Sequence, residues 1–118
     1  MEKIRLETNL TEANGIKILH VSGEIDVYTA PQFKEAVNGV LTTGQKHLII
    51  NMENVSYMDS SGFGALLSAT KRLRPVGGTV SLVNCNQSIK RILQITKLDT
   101  IFSVYTDIDS AIANIPKE

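Results

Sequence analysis

The sequence predicts one α/β domain over residues 1–118, a small mixed β-sheet with helices packed on it in the order ββαβαβαβα. Three observations carry this. Apolar residues at helical spacing alternate along the chain with short apolar or alternating runs, which is the pattern of strands joined by helices. The run "HLIINM" (47–52) is almost continuously apolar, as suits a central strand covered on both faces. The first two strands are joined near "EANG", with only residues 9–15 between them, too short for a crossover helix, so the sheet begins with an antiparallel hairpin.

The elements follow in order. Residues 2–8 and 16–22 read as the hairpin strands, with Asn14-Gly15 as the turn. In the second strand Ile16, Ile18 and His20 share one face, and Lys17, Leu19 and Val21 the other. A helix over about 30–42 places Phe33, Val37, Val40 and Leu41 inside and ends at Gly44. Thr29 with Gln32 fits a capping box at its start, and Pro31 is tolerated in the first turn. From Ser61 a second helix presents Phe63, Leu66, Leu67, Thr70 and Leu73 on one face and ends near Arg74, before Pro75. "TVSLV" (79–83) is a strand, and Asn86 caps a helix through about Thr96 with Ile89, Ile92 and Leu93 inside. "IFSVY" is a last short strand, and Thr106 with Asp109 forms a capping box for a last helix burying Ile108, Ala111, Ile112 and Ile115.

Composition narrows the function. Lys plus Arg and Asp plus Glu both number 12, giving a formal net charge of 0, which argues against a direct nucleic-acid binder or a membrane-surface protein. With one cysteine, Cys85, no intrachain disulfide forms, and no secretory h-region or membrane-length apolar stretch is visible, so a cytoplasmic protein is expected. His20 and His47 lie on separate strands without ligand-spaced partners, so no metal site is expected. Gly62-x-Gly64 lacks the third glycine of a dinucleotide fingerprint and no P-loop is present, so no cofactor is expected. Ser68-Ala69-Thr70-Lys71 matches S-x-x-K but sits inside an amphipathic helix, without the companion motifs of that chemistry. Glu24 and Asp26 read as residues of a solvated loop. Lys71, Arg72 and Arg74 suit the negative end of a helix dipole.

The stretch "YMDSSGFGALL" stands apart. One helix start needs one capping side chain, and here Asp59, Ser60 and Ser61 stand in a row, followed by Gly62 and Gly64. Asp59 or Ser60 serves as the cap. The glycines cost helix stability of roughly 1 kcal/mol each, which suggests that something approaches the backbone closely. A serine at a helix N-terminus is also a favourable place for phosphate, because free N–H groups and the helix dipole attract negative charge. In an open sheet such sites lie beyond the carboxyl ends of strands, so the Asp59 loop and the Asp26 loop are expected to be neighbours if their strands are.

Taken together, "VSGEIDVYTAPQF", "LIINMENVSYMDSSGFGALLSA" and "GGTVSLVNCNQSIKRILQITKL" resemble a STAS domain of the bacterial anti-sigma factor antagonist family, over nearly the whole chain. The resemblance implies a binding protein rather than an enzyme. Its unphosphorylated form would bind an anti-sigma factor that is also a serine kinase, releasing a sigma factor. The kinase would switch it off by phosphorylating the hydroxyl residue after the motif acid, here Ser60, and a metal-dependent serine phosphatase would restore it. The resemblance also implies a partner surface of Asp59, Ser61 and Gly62 at the motif and of Asp26, Tyr28 and Thr29 on the neighbouring loop. Phe63 stands where leucine is frequent, and it either packs or presents its ring to the partner. Such a protein takes part in transcription regulation of the stress-response or sporulation kind. The alternative is an accessory or scaffold STAS subunit of a stress-sensing complex or a membrane transporter.

Overall fold

In the computed structural model, residues 5–116 are described, and they form a five-stranded sheet in the sequential order β1-β2-β3-β4-β5. Strand β1 (Leu6–Ala13) pairs antiparallel with β2 (Ile16–Ile25), and β2, β3 (His47–Met58), β4 (Thr79–Val83) and β5 (Ser103–Tyr105) run parallel. Helices α1 (Ala30–Leu41), α2 (Ser60–Leu73) and α3 (Gln87–Ile95) connect the parallel strands, and α4 (Ile108–Ala113) follows β5. No helix among the described residues is long and apolar enough to cross a membrane.

The α/β reading and its element order hold. The two faces of the sheet are filled unequally. Leu19, Val21 and Ile25 of β2 and Leu48, Ile50 and Met52 of β3 point into the larger core, beneath Phe33 and Val37 of α1, Leu66 and Ala69 of α2 and Ile89 and Leu93 of α3. Ile18, Ile49 and Val83 point to the opposite face, where Ala111 of α4 covers them and Ile108, Ile112 and Ile115 pack at the margin. Strand β3 is therefore covered on both sides, which accounts for its apolar run.

Several boundaries differ from the sequence expectation, each for a physical reason. The first strand is Leu6–Ala13 rather than 2–8, of which residues 2–4 lie outside those described. Asn14 and Gly15 both take positive φ (54° and 77°), the two-residue hairpin geometry that pairs Ala13 directly with Ile16. The polar stretch before the turn is thus drawn into the ladder, although its side chains are mostly exposed. Strand β3 does not stop at Met52 but runs to Met58. Its register against β2 slips twice, between His20 and Ser22 and between Gly23 and Glu24, so β3 carries extra residues there. The bulges turn an alternating pattern into one where Met52, Val55 and Met58 are buried at every third position, which hides the strand.

The inward face of α2 is rotated from the expected stripe. Gly62, Phe63, Ala65, Leu66, Ala69 and Leu73 are buried, while Leu67 and Thr70 lie at its margin. Small residues line the contact because α2 packs closely against α1 and the sheet. On α3, Ile89 and Leu93 are buried but Ile92 lies on the exposed side, contrary to its expected place inside. Neither expected capping box forms. Asp107 rather than Thr106 caps α4, accepting the Ser110 N–H at 2.7 Å, and Thr29 occupies the cap position of α1 without capping it.

Candidate functional site

The parallel strands β2 and β3 end side by side, with Ile25 opposite Met58 and the Asp59 N–H donating to the Ile25 carbonyl at 3.0 Å. The loops beginning at Asp26 and Asp59 are therefore neighbours at the carboxyl edge of the sheet. Each opens a helix from an aspartate.

At α2 the cap is Asp59. Its Oδ1 accepts the Ser61 N–H at 2.9 Å and the Ser61 hydroxyl at 2.6 Å, while its carbonyl receives the N–H groups of Gly62 and Phe63. The two serines are thereby separated. Ser61 is half-buried and its hydroxyl is held by Asp59. Ser60 is exposed, and its hydroxyl bonds to nothing among the described residues. Ser60 is not the cap that the sequence allowed it to be. Gly62 explains part of the glycine content: a Cβ there would lie 2.7 Å from Met58 Sδ and 2.8 Å from Ile25 Cγ2, so the helix start is pressed onto the strand ends. Gly64 is exposed and has open space beside it.

At α1 the organising residue is Asp26. Its Oδ1 accepts the N–H groups of Tyr28 (2.9 Å) and Thr29 (3.1 Å), an Asx turn that holds the loop. Thr29 is buried; its hydroxyl donates to the Glu24 carbonyl at 2.7 Å and accepts the Asp26 N–H at 2.9 Å. Gln32, the other half of the expected capping box, instead donates to the Leu6 carbonyl. The carboxyl of Asp26 is pushed up by its removal from water. The Thr29 and Tyr28 N–H groups and the charge of Arg5 outweigh that push and hold it below its ordinary value of 3.8.

Of the expected partner residues, Tyr28 is 80% exposed, whereas Phe63, Gly62 and Thr29 are buried. The ring of Phe63 packs in the core and is not presented. Sequence reasoning missed Val27, which is 64% exposed, and Tyr57, 51% exposed on the last turn of strand before Asp59. A valine one residue after Asp26 and a tyrosine two residues before Asp59 were the signal the sequence carried. Between the two helix starts lies an open, mainly apolar depression of about 370 Å³ bordered by Val27, Pro31, Lys34, Ser61, Gly64 and Ala65. Arg5 was also missed: it donates to Glu24 Oε2 at 3.2 Å and to Asp26 Oδ2, so these two acids are ion-paired rather than simply solvated.

The other titratable groups are engaged elsewhere. His20 Nε2 lies 2.7 Å from Thr11 Oγ1 and its Nδ1 3.0 Å from Asn51 Nδ2. His47 Nδ1 lies 2.9 Å from Thr79 Oγ1. Burial pushes the Cys85 thiol up to about 11, which makes it a poor nucleophile. No group of metal-ligating side chains forms among the described residues.

The sequence matches the STAS domain family over residues 7–111. The anti-sigma-B factor antagonist of Staphylococcus aureus (strain NCTC 8325) is 34% identical over 84 residues, covering 71% of this chain and 78% of that protein. The anti-sigma F factor antagonist of Paenibacillus polymyxa is 25% identical over 113 residues, 95% of this chain and 97% of that one. Among solved structures, an anti-sigma factor antagonist from Mycobacterium paratuberculosis superposes with a TM-score of 0.84 at 28% identity, over 92% of each chain.

Proposed function

The chain belongs to the STAS-domain anti-sigma factor antagonist family, and from that premise we propose that it is a phosphorylation-controlled partner switch in transcription regulation. Unphosphorylated, it binds an anti-sigma factor that is also a serine kinase, and so releases a sigma factor. Phosphorylation of Ser60 ends that binding, and a serine phosphatase restores it.

The observation that carries this reading is the pairing of an exposed, unbonded hydroxyl at Ser60 with an exposed apolar loop, Val27 and Tyr28, on the adjacent strand end. The loop supplies desolvated contact area, and aromatic side chains dominate the energetics of such contacts. The hydroxyl supplies the group to be modified. A phosphate on Ser60 adds roughly −1.5 to −2 charges beside the Asp59 carboxylate and at the rim of the docking surface. The N-terminal end of α2 gives that phosphate a favourable helix dipole, and Ser60 lies exposed, so the domain stays folded. A partner seated over the loop would instead have to desolvate the new charge, and that cost ejects it. The chain contributes the hydroxyl and its presentation, and the kinase contributes the nucleotide chemistry.

The test is binding to the kinase–anti-sigma factors of the same genome, measured by titration calorimetry. Ser60→Ala is expected to bind as the unmodified protein does and to accept no phosphate, whereas Ser60→Asp binds weakly. Equal affinity for the alanine and aspartate forms would contradict the switch.

A further inference from the structure

We infer that Arg5 is a positioning residue for partner docking, a latch that holds the Val27–Tyr28 loop in its presented form. The inference rests on the reading of that loop as a docking surface. Arg5 immediately precedes the edge strand β1 and is far in sequence from the loop it touches. Its backbone is fixed first. The Glu24 N–H donates to the Arg5 carbonyl at 3.0 Å, and Gly23, at φ +117°, permits this approach, since a Cβ there would lie 2.0 Å from the same carbonyl oxygen. From that anchor the guanidinium reaches three groups of the loop and its stem. It pairs with Glu24 Oε2 at 3.2 Å, with Asp26 Oδ2, and it lies over the Tyr28 ring at 5.7 Å from the centroid.

The division of the Asp26 carboxylate gives the latch its effect. One oxygen, Oδ2, faces Arg5; the other, Oδ1, receives the N–H groups of Tyr28 and Thr29 and so sets the turn. Arg5 therefore orients the carboxylate that shapes the loop, and it packs on the ring the loop exposes. Asp26 is only 13% exposed at its side chain while Arg5 is 41% exposed, so the acid is held in place and the base closes over it from the solvent side. A planar, forked guanidinium suits two carboxylates and a ring together; an ammonium supplies one point charge and no plane. Without Arg5 the Asp26 carboxylate loses the tether on Oδ2, so the bonds from the Tyr28 and Thr29 N–H groups to Oδ1 open more often. Tyr28 and Val27 must then be ordered by the partner at the moment of binding, which weakens docking.

The test is kinase kinetics with the purified 118-residue chain, combined with amide hydrogen exchange. Arg5→Gln is expected to raise the kinase KM for this protein about three- to fivefold, the scale of an exposed charge network, while kcat for transfer to Ser60 stays unchanged. Arg5→Lys should fall between the two. The Tyr28 and Thr29 amides should exchange faster in Arg5→Gln, with those of β3 and β4 unchanged. A KM and loop exchange both indistinguishable from the parent chain would overturn the latch, and so would a loss of kcat and β3 protection together, which marks general unfolding. If no kinase modifies the parent chain, the functional reading fails on its own, and unaltered Tyr28 and Thr29 exchange in Arg5→Gln would still overturn the latch.

Discussion

The two helix starts at the carboxyl edge of the sheet are built alike and present opposite chemistry. Both follow parallel strands that end in register, and both place an aspartate whose Oδ1 accepts a backbone N–H two residues on, from Tyr28 at one and Ser61 at the other, each at 2.9 Å. At α1 the hydroxyl, Thr29, is buried and doubly bonded while the apolar side chains, Val27 and Tyr28, stand in solvent. At α2 the aromatic, Phe63, is buried and the hydroxyl of Ser60 stands in solvent. The same local device thus yields a contact surface in one place and a modifiable group in the other. What decides between them is which side chain the turn sends inward.

The aromatics give the largest contrast. Phe63→Ala should destabilise the domain by about 3–5 kcal/mol, as expected for a buried phenylalanine, in a urea titration. Tyr28→Ala should leave stability within about 0.5 kcal/mol yet weaken partner binding roughly tenfold. Equal stability losses would show that the two starts are not divided in this way.

The glycines sharpen the same comparison. Gly23 at φ +117° faces the Arg5 carbonyl, which cannot move without breaking the strand pairing, so Gly23→Ala should cost about 2–4 kcal/mol. At Gly62 an added Cβ would lie 2.5 Å from Met58 Cγ and 2.8 Å from Ile25 Cγ2, buried side chains that must shift but, unlike backbone, can yield in part. Gly62→Ala should therefore cost about 1–3 kcal/mol in thermal or urea unfolding, less than Gly23→Ala.

The hydroxyls give the smallest effects. Thr29→Val removes the bond to the Glu24 carbonyl and the acceptor for the Asp26 N–H in a buried setting, at a cost of about 1–2 kcal/mol. Ser61→Ala leaves Asp59 its backbone N–H and should cost less than about 1 kcal/mol.

Legibility from sequence followed the regularity of the backbone. The α1 stripe of Phe33, Val37, Val40 and Leu41 was readable because an unbroken helix keeps its period. The second half of β3 was not, because two bulges shift its burial to every third residue. Nor was the second half of β1, residues 9–13, whose polar side chains are placed by the Asn14-Gly15 turn rather than by hydrophobicity. Arg5 was out of reach for a different reason: its partners, Glu24 and Asp26, lie across the hairpin, and a lone arginine before a strand carries no pattern. For the motif, the family resemblance selected Ser60 over Ser61 where capping rules could not. The geometry supplies a physical difference between them, since Asp59 occupies one hydroxyl and leaves the other exposed.

The most direct measurement is the position of phosphate after incubation with ATP and a kinase–anti-sigma factor from the same genome, mapped by fragmentation mass spectrometry. A single phosphate on Ser60, with Ser61 unmodified, is the expected result of this partner switch. Phosphate on Ser61 with Ser60 untouched would contradict it.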